Sequence, residues 1–287
     1  MAIVESGEEF IITALPPRQN RSRKGENGIV AVIGGSAVFH GAPSLAALGA
    51  LRTGIDIAYL FVPQSISIPI RSISPNFIVF PLPDSKITIG TANRILNSIP
   101  TVDSVVIGPG TGRQKPDGIR RLVMELSSRG VKLVIDADAL VPEVINVLKG
   151  KEVVLTPHAG EFMRLFGSEV EDNDEQRLNI VQEMARENDL TILLKGTTDV
   201  ISDGKVHSIN RSGNPAMTVG GTGDVLAGII AALMARGMKP FQAAISGAYI
   251  NGKAGELAYE NLGFSVLATD LIDQIPILMK RFDRIDT

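Results

Sequence analysis

Cysteine and tryptophan are absent from the 287 residues. Without cysteine the chain can form no disulfide, no thiolate metal site and no thiol nucleophile. That fits a reducing compartment, and a cytoplasmic location is expected. The first nine residues hold three acids and no base, unlike a secretory leader. No apolar run approaches the ~20 residues that cross a bilayer, so no membrane partner is expected. Charge of one sign is also lacking: 28 Lys and Arg face 31 Asp and Glu, for a net −3. Nothing electrostatic therefore invites nucleic acid or an anionic surface. No repeat or low-complexity linker divides the chain. Hydrophobic residues make up 44% of it, enough for one large core, and a single domain over 1–287 is expected.

What the chain does have is glycine, placed after short β-branched runs. Residues 28–33 run into Gly34-Gly35-Ser36, and 104–107 into Gly108-Pro109-Gly110-Thr111-Gly112. Residues 131–135 end at Asp136-Ala137-Asp138, 152–155 at Thr156-Pro157-His158, and 191–194 at Lys195-Gly196-Thr197-Thr198. Continuous apolar runs of this length predict strands buried on both faces of a parallel sheet. Helical patterns at 43–53, 117–129 and 174–187 fill the gaps, the first two closed by Gly54 and Gly130. The alternation predicts an α/β fold, a mainly parallel central sheet flanked by helices on both faces. Asp203-Gly204 predicts a two-residue hairpin turn between strands 199–202 and 205–208. The proline-rich stretch 63–89 reads as an irregular crossover or an oligomer contact. From Asp224 onward the pattern is mainly helical.

Ligands of open parallel sheets bind beyond the carboxyl ends of the strands, where these polar clusters converge. The sharpest cluster is Gly220-Gly221-Thr222-Gly223-Asp224, followed by the apolar run 225–234. Glycines before a helix let amides approach a ligand, and the helix dipole favours an anion there. No Gly-Lys-Ser/Thr follows, so this is not a Walker loop. Asp224 is either a plain helix cap or a base that takes a proton from a hydroxyl attacking a phosphate held nearby, and Thr222 is available as the cap instead. Lys195, Gly196, Thr197 and Thr198 offer phosphate or ribose donors. His158 reads as a helix cap or a substrate contact. Glu161 suits a magnesium ion held through water. His40 and His207 read as structural or exposed. The glycines 34–41 do not match Gly-x-Gly-x-x-Gly, which excludes a classical dinucleotide domain but not a nicotinamide substrate.

Taken in order, these motifs resemble the ADP-dependent NAD(P)H-hydrate dehydratases of the ribokinase-like superfamily. The resemblance rests on Gly34-Gly35-Ser36, Gly41-Ala42-Pro43, Leu51-Arg52-Thr53-Gly54, Gly108 to Gly112, Asp136-Ala137-Asp138-Ala139-Leu140, Thr156 to Glu161, Lys195-Gly196, Gly213-Asn214-Pro215 and Gly220 to Leu226. It implies a ribokinase-like fold and dehydration of the C6-hydrate of NADH or NADPH. ADP would be the phosphoryl donor, with ATP as the alternative, and Mg2+ would assist. It implies Asp224 as the catalytic base. Ala42, Gly112, His158 and Asp224 would contact the hydrate, and Lys195, Gly196, Thr197, Thr198, Asp199 and Gly223 the nucleotide. Amides of Gly221, Thr222 and Gly223 would form the anion hole. It further implies a homotetramer and, without a fused epimerase domain, a separate epimerase in the pathway. Three positions depart from the pattern: Phe39 for Tyr, Ala216 for Gly and Asn251 for His. The runner-up is a small-molecule kinase of the same superfamily, acting on a thiamine precursor or a sugar. A nucleotide-binding regulator without turnover is disfavoured by the carboxylate at an anion site.

Overall fold

The computed structural model describes residues 3–83, 86–113, 115–171 and 173–286. In chain order its elements begin with α1 (Glu8–Ala14), β1 (Arg18–Gln19), β2 (Ile29–Ile33), α2 (Ala42–Arg52), β3 (Ile57–Pro63), α3 (Gln64–Ile73), β4 (Phe77–Leu82) and α4 (Ile89–Ser98). They continue through β5 (Ser104–Ile107), α5 (Pro116–Ser128), β6 (Lys132–Ile135), α6 (Ile145–Leu148), β7 (Val153–Leu155), α7 (Ala159–Phe166), α8 (Asp174–Asn188) and β8 (Thr191–Leu194). The last are β9 (Asp199–Ser202), β10 (His207–Asn210), α9 (Thr222–Ala235), α10 (Pro240–Leu262), α11 (Ala268–Met279) and β11 (Ile285–Asp286).

Nine strands form one sheet in the order β10-β9-β8-β7-β6-β5-β2-β3-β4. It is parallel from β8 to β4, and β9 and β10 add an antiparallel hairpin. Successive strand residues alternate between two cores. Val30, Val32 and Val106 face the layer of α2, α9, α10 and α11, while Ala31, Ile33, Val105 and Ile107 face that of α4, α5, α7 and α8. This is the α/β architecture expected, with both sheet faces covered.

The chain leaves β2 towards β3 and β4, then returns to β5 on the other side of β2. The loops after β2 and β5 therefore diverge and open a crevice at the carboxyl edge. They touch at its floor, where the Gly35 amide donates to the Pro109 carbonyl at 2.8 Å. Into the same edge points α9, whose residues Val225 to Met234 are all buried. Helix α2 packs against it backbone to backbone. A methyl group on Gly228 would overlap the Ala46 carbonyl, and one on Gly49 would lie 2.8 Å from the Val225 carbonyl oxygen.

Two local expectations are corrected. The stretch 63–89 is not irregular: it contains α3 and β4. Ile66 and Ile70 repeat at helical spacing and are buried, while Pro69 lies on the exposed face. Pro81 is tolerated because β4 is an edge strand that needs no further ladder donor. In the hairpin, Ser202 pairs with His207, so the loop is residues 203–206 and not a two-residue turn. The Asp203 carboxylate accepts from the Lys205 and Val206 amides, both at 2.9 Å, and this side-chain-closed turn wins.

Candidate active site

The carboxyl ends of β6, β7 and β8 place Asp136, Thr156 and Lys195 side by side. Asp136 is 2% exposed, and its Oδ1 accepts from both the Thr156 hydroxyl and the Lys195 ammonium at 2.8 Å. Lys195 thus reaches across the end of β7. Its Nζ is also 4.0 Å from Glu161 Oε2. Burial works to lower the Lys195 pKa, but Asp136, then Glu161 and Asp224, outweigh it and leave the ammonium firmly charged. The turn that presents Asp136 is tight. Ala137 takes a left-handed φ of 52°, and a side chain on Gly108 would meet the Asp136 carbonyl.

Asp224 stands in the first turn of α9, facing this group. Its carboxylate makes no hydrogen bond to any described residue. Burial, and then the negative charge of Asp136, push its pKa up to about 7 against the opposing pull of Lys195. A carboxylate poised near neutrality and free of internal partners suits a general base. It is not the cap of its helix. That position is Gly221, with φ 101° and no side-chain cap. Nor does Thr222 cap it: the Thr222 hydroxyl donates backward to the Met217 carbonyl at 3.0 Å. No described acceptor meets the amides of Thr222, Gly223 or Asp224, so three donors and the positive end of the helix dipole face outward.

Beside them lies a cavity of about 470 Å3, lined at one end by Lys195, Gly196, Thr197, Asp199, Thr222 and Gly223. The loop 195–199 is braced from within. Asp199 accepts from the Gly196 amide at 3.1 Å and from Asn210 at 3.1 Å, and burial raises its pKa despite them. Arg177, 7% exposed, donates to the Thr198 carbonyl at 3.1 Å. Sequence reasoning missed Arg177. Its signal was the spacing to Val181 and Ala185 on the buried face of α8.

His158 caps α7. Its Nδ1 accepts from the Gly160 and Glu161 amides at 3.0 and 3.3 Å, and Glu161 Oε2 accepts in return from the His158 amide at 2.9 Å. The imidazole side chain remains 61% exposed, with Nε2 on the rim. Glu161 is correspondingly engaged, and among the described residues no group of three His, Cys, Asp or Glu is arranged to hold a metal. Ala42 opens α2 in the crevice, within reach of Gly110. Gly112 lies on the β5 loop with φ 63° and open space at its Cβ position. His40 is exposed and His207 buried away from the site. Among the described residues no helix is long and apolar enough to cross a membrane.

Comparison with known proteins gives a consistent picture. A family model described as NAD(P)H-hydrate dehydratase matches residues 30–277. The ADP-dependent (S)-NAD(P)H-hydrate dehydratase of Cenarchaeum symbiosum is 46% identical, with all of both chains covered. That of Nitrosopumilus maritimus is 47% identical over 94% of this chain and 95% of its own. The crystal structure of the ADP/ATP-dependent NAD(P)H-hydrate dehydratase of Bacillus subtilis, co-crystallised with ATP and Mg2+, superposes with a TM-score of 0.84. It is 28% identical and covers 99% of this chain and 100% of its own. A hydroxyethylthiazole kinase from Pyrococcus horikoshii shares the fold at a TM-score of 0.64, with 20% identity and 94% of each chain covered.

Proposed function

The chain belongs to the NAD(P)H-hydrate dehydratase family, and from that premise we propose that it restores NADH and NADPH from their C6-hydrates, using ADP as phosphoryl donor. The observation that carries this reading is Asp224: a half-buried, unpartnered carboxylate with a pKa near 7, beside three free amides at the tip of α9.

The diphosphate of ADP lies against the amides at the tip of α9, the expected Gly221, Thr222 and Gly223 together with Asp224, with Lys195 and loop 196–199 along its length. The hydrate sits in the crevice between Ala42, Gly112 and the His158 imidazole, its C6 hydroxyl towards Asp224. Asp224 takes the hydroxyl proton while that oxygen attacks the terminal phosphorus. The new O–P bond forms as the bond to the bridging oxygen breaks, releasing AMP. The ring nitrogen then pushes phosphate off C6 with the C–O electron pair. Loss of a C5 proton restores the ring double bond, leaving NAD(P)H and inorganic phosphate. The amides carry the charge on the moving phosphoryl group without reorganising.

Mg2+ fits this site as an ion carried by the phosphates. Three carboxylates, Asp136, Glu161 and Asp224, face one lysine, so a bound diphosphate calls for a further cation. Glu161, held by its capping contacts, would meet it through water. Its chemistry would be to neutralise charge on phosphate oxygens. A homotetramer is also proposed. Supporting it, α3 and the edge strand β4 expose Ile68, Ile73 and Ile78, an apolar sheet border that solvent alone covers poorly. We place the enzyme in the cytoplasm, with a separate epimerase supplying the reactive epimer.

The test is to incubate the protein with acid-hydrated NADH, Mg2+ and either ADP or ATP. Dihydronicotinamide absorbance is expected to return with stoichiometric phosphate release. No recovery with either nucleotide removes the reading, and recovery with ATP alone corrects the donor. A phosphorylated product without phosphate release would point to the kinase chemistry instead.

A further inference from the structure

The residues just beyond Gly112 border a second cavity, which the proposed chemistry leaves unused. It holds about 540 Å3 between the N-termini of α4 and α5, and is lined by Lys86, Thr88, Ile89, Arg113, Lys115 and Asp117. The loops after β4 and β5 that form it are fixed to each other. A side chain on Gly118, in the first turn of α5, would overlap the Ile87 carbonyl, and Lys86 Nζ donates to the Arg113 carbonyl at 2.7 Å. Among the described residues, three cations rim the cavity against one acid, Asp117. All three are exposed, and none forms an ion pair with a described residue. Ile89, 52% exposed, and the stems of the lysines and the arginine give it apolar wall.

Unpaired cations over apolar surface suit a phosphate carried on an organic group. The neighbourhood says which one. Arg113 follows Gly112 directly, and Gly112 borders the crevice proposed for the hydrate. A dinucleotide is much longer than its reacting ring, so its adenosine half must lie beyond that crevice, and the nucleotide cavity is taken by ADP. NADH and NADPH differ only by a phosphate at the 2′ position of that adenosine, and an arginine is what dinucleotide sites use to accommodate it. We infer that the cavity between α4 and α5 takes the adenosine half of the dinucleotide, with Arg113 and Lys115 holding its 2′-phosphate, so that this chain favours the NADPH form of its substrate. The inference rests on the proposed hydrate site at Ala42, Gly112 and His158.

The experiment measures binding of the two products, NADPH and NADH, to the full chain by calorimetry, with AMP saturating the nucleotide cavity. The unaltered protein is expected to bind NADPH about tenfold more tightly, the scale of two exposed charge-assisted contacts. In the double variant Arg113→Gln, Lys115→Gln the two ligands are expected to bind within about twofold of each other, with NADH affinity nearly unchanged. Added salt should erode the preference in the unaltered protein, as it does for exposed charges. Equal binding of both ligands by the unaltered protein overturns the inference. So does equal weakening of both in the double variant, which would place the two cations on the diphosphate that the ligands share. Should the double variant fail to fold, the single substitutions take its place, and an undiminished preference in both overturns the inference. Binding of neither dinucleotide to the unaltered protein removes the proposed hydrate site itself, and this inference with it.

Discussion

Two helices present their N-termini to the same rim, and they are finished in opposite ways. Helix α7 is sealed by its own residues: His158 and Glu161 cap each other's backbone. Helix α9 begins at a glycine with no side-chain cap, and its first amides meet no described acceptor. A sealed terminus has spent its donors on stability, whereas an open one holds them for a ligand. The contrast separates structure from chemistry within one edge of one sheet. It also explains how a carboxylate is tolerated at the open end. Asp224 is pushed towards neutrality by burial and by Asp136, so it does not simply fill the anion site.

The sharpest way to break this contrast is Asp224→Asn. Turnover of the hydrate is expected to fall by about 10² or more, the scale of a lost general base, with ADP affinity near normal. Unchanged turnover in steady-state assays would reduce Asp224 to a structural residue. The unaltered enzyme should show kcat/KM rising with pH and levelling above about 7, where Asp224 is ionised. The stability sign is the reverse. The native pKa of Asp224 lies above its ordinary value of 3.8, so the folded state binds more protons and this group's contribution weakens as pH rises from about 4 to about 7. Asp224→Asn should flatten that part of the profile in denaturant titrations.

Gly221→Ala is expected to have the next largest effect. The residue has φ 101°, and its new methyl would lie 2.5 Å from Leu45 Cδ1. Distortion of the open terminus should weaken ADP binding about tenfold and cost about 1–2 kcal/mol of stability. Normal ADP binding in calorimetry would show that the amides are not the phosphate grip. The smallest effect belongs to the sealed terminus. His158→Ala removes the cap and should cost about 1 kcal/mol in unfolding experiments. His158→Asn restores a capping acceptor but not the ring. It should recover the melting temperature while KM for the hydrate stays raised. Full recovery of both would confine His158 to capping.

Much of this was legible in the sequence because it is local. Apolar runs ending in glycine or polar clusters gave the parallel strands, and the glycine cluster before residues 225–234 gave the tip of α9 and Asp224. The hidden parts depend on distance along the chain or on competition between neighbours. Nothing near Lys195 announces that its ammonium is held by Asp136, 59 residues away. That pairing follows from strand order, which puts β6 and β8 on either side of β7. Helix α3 was concealed by its prolines, and only the spacing of Ile66 and Ile70 betrays it. Asn251 was visible as a departure from its expected residue, but its burial on α10, with an Oδ1 that meets no partner, emerges only from the packed structure.

The contact of α2 with α9 at Gly49 and Gly228 has a mechanical consequence. With no side chains between the two backbones, the tips bearing Ala42 and Asp224 move as one block. The span between acceptor and donor is therefore set when the chain folds, like the jaws of a locked caliper, and needs no hinge to close it. A bulkier residue at Gly228, about one turn beyond Asp224 and turned towards the Ala46 carbonyl, would spread those jaws and slow the reaction without touching either substrate.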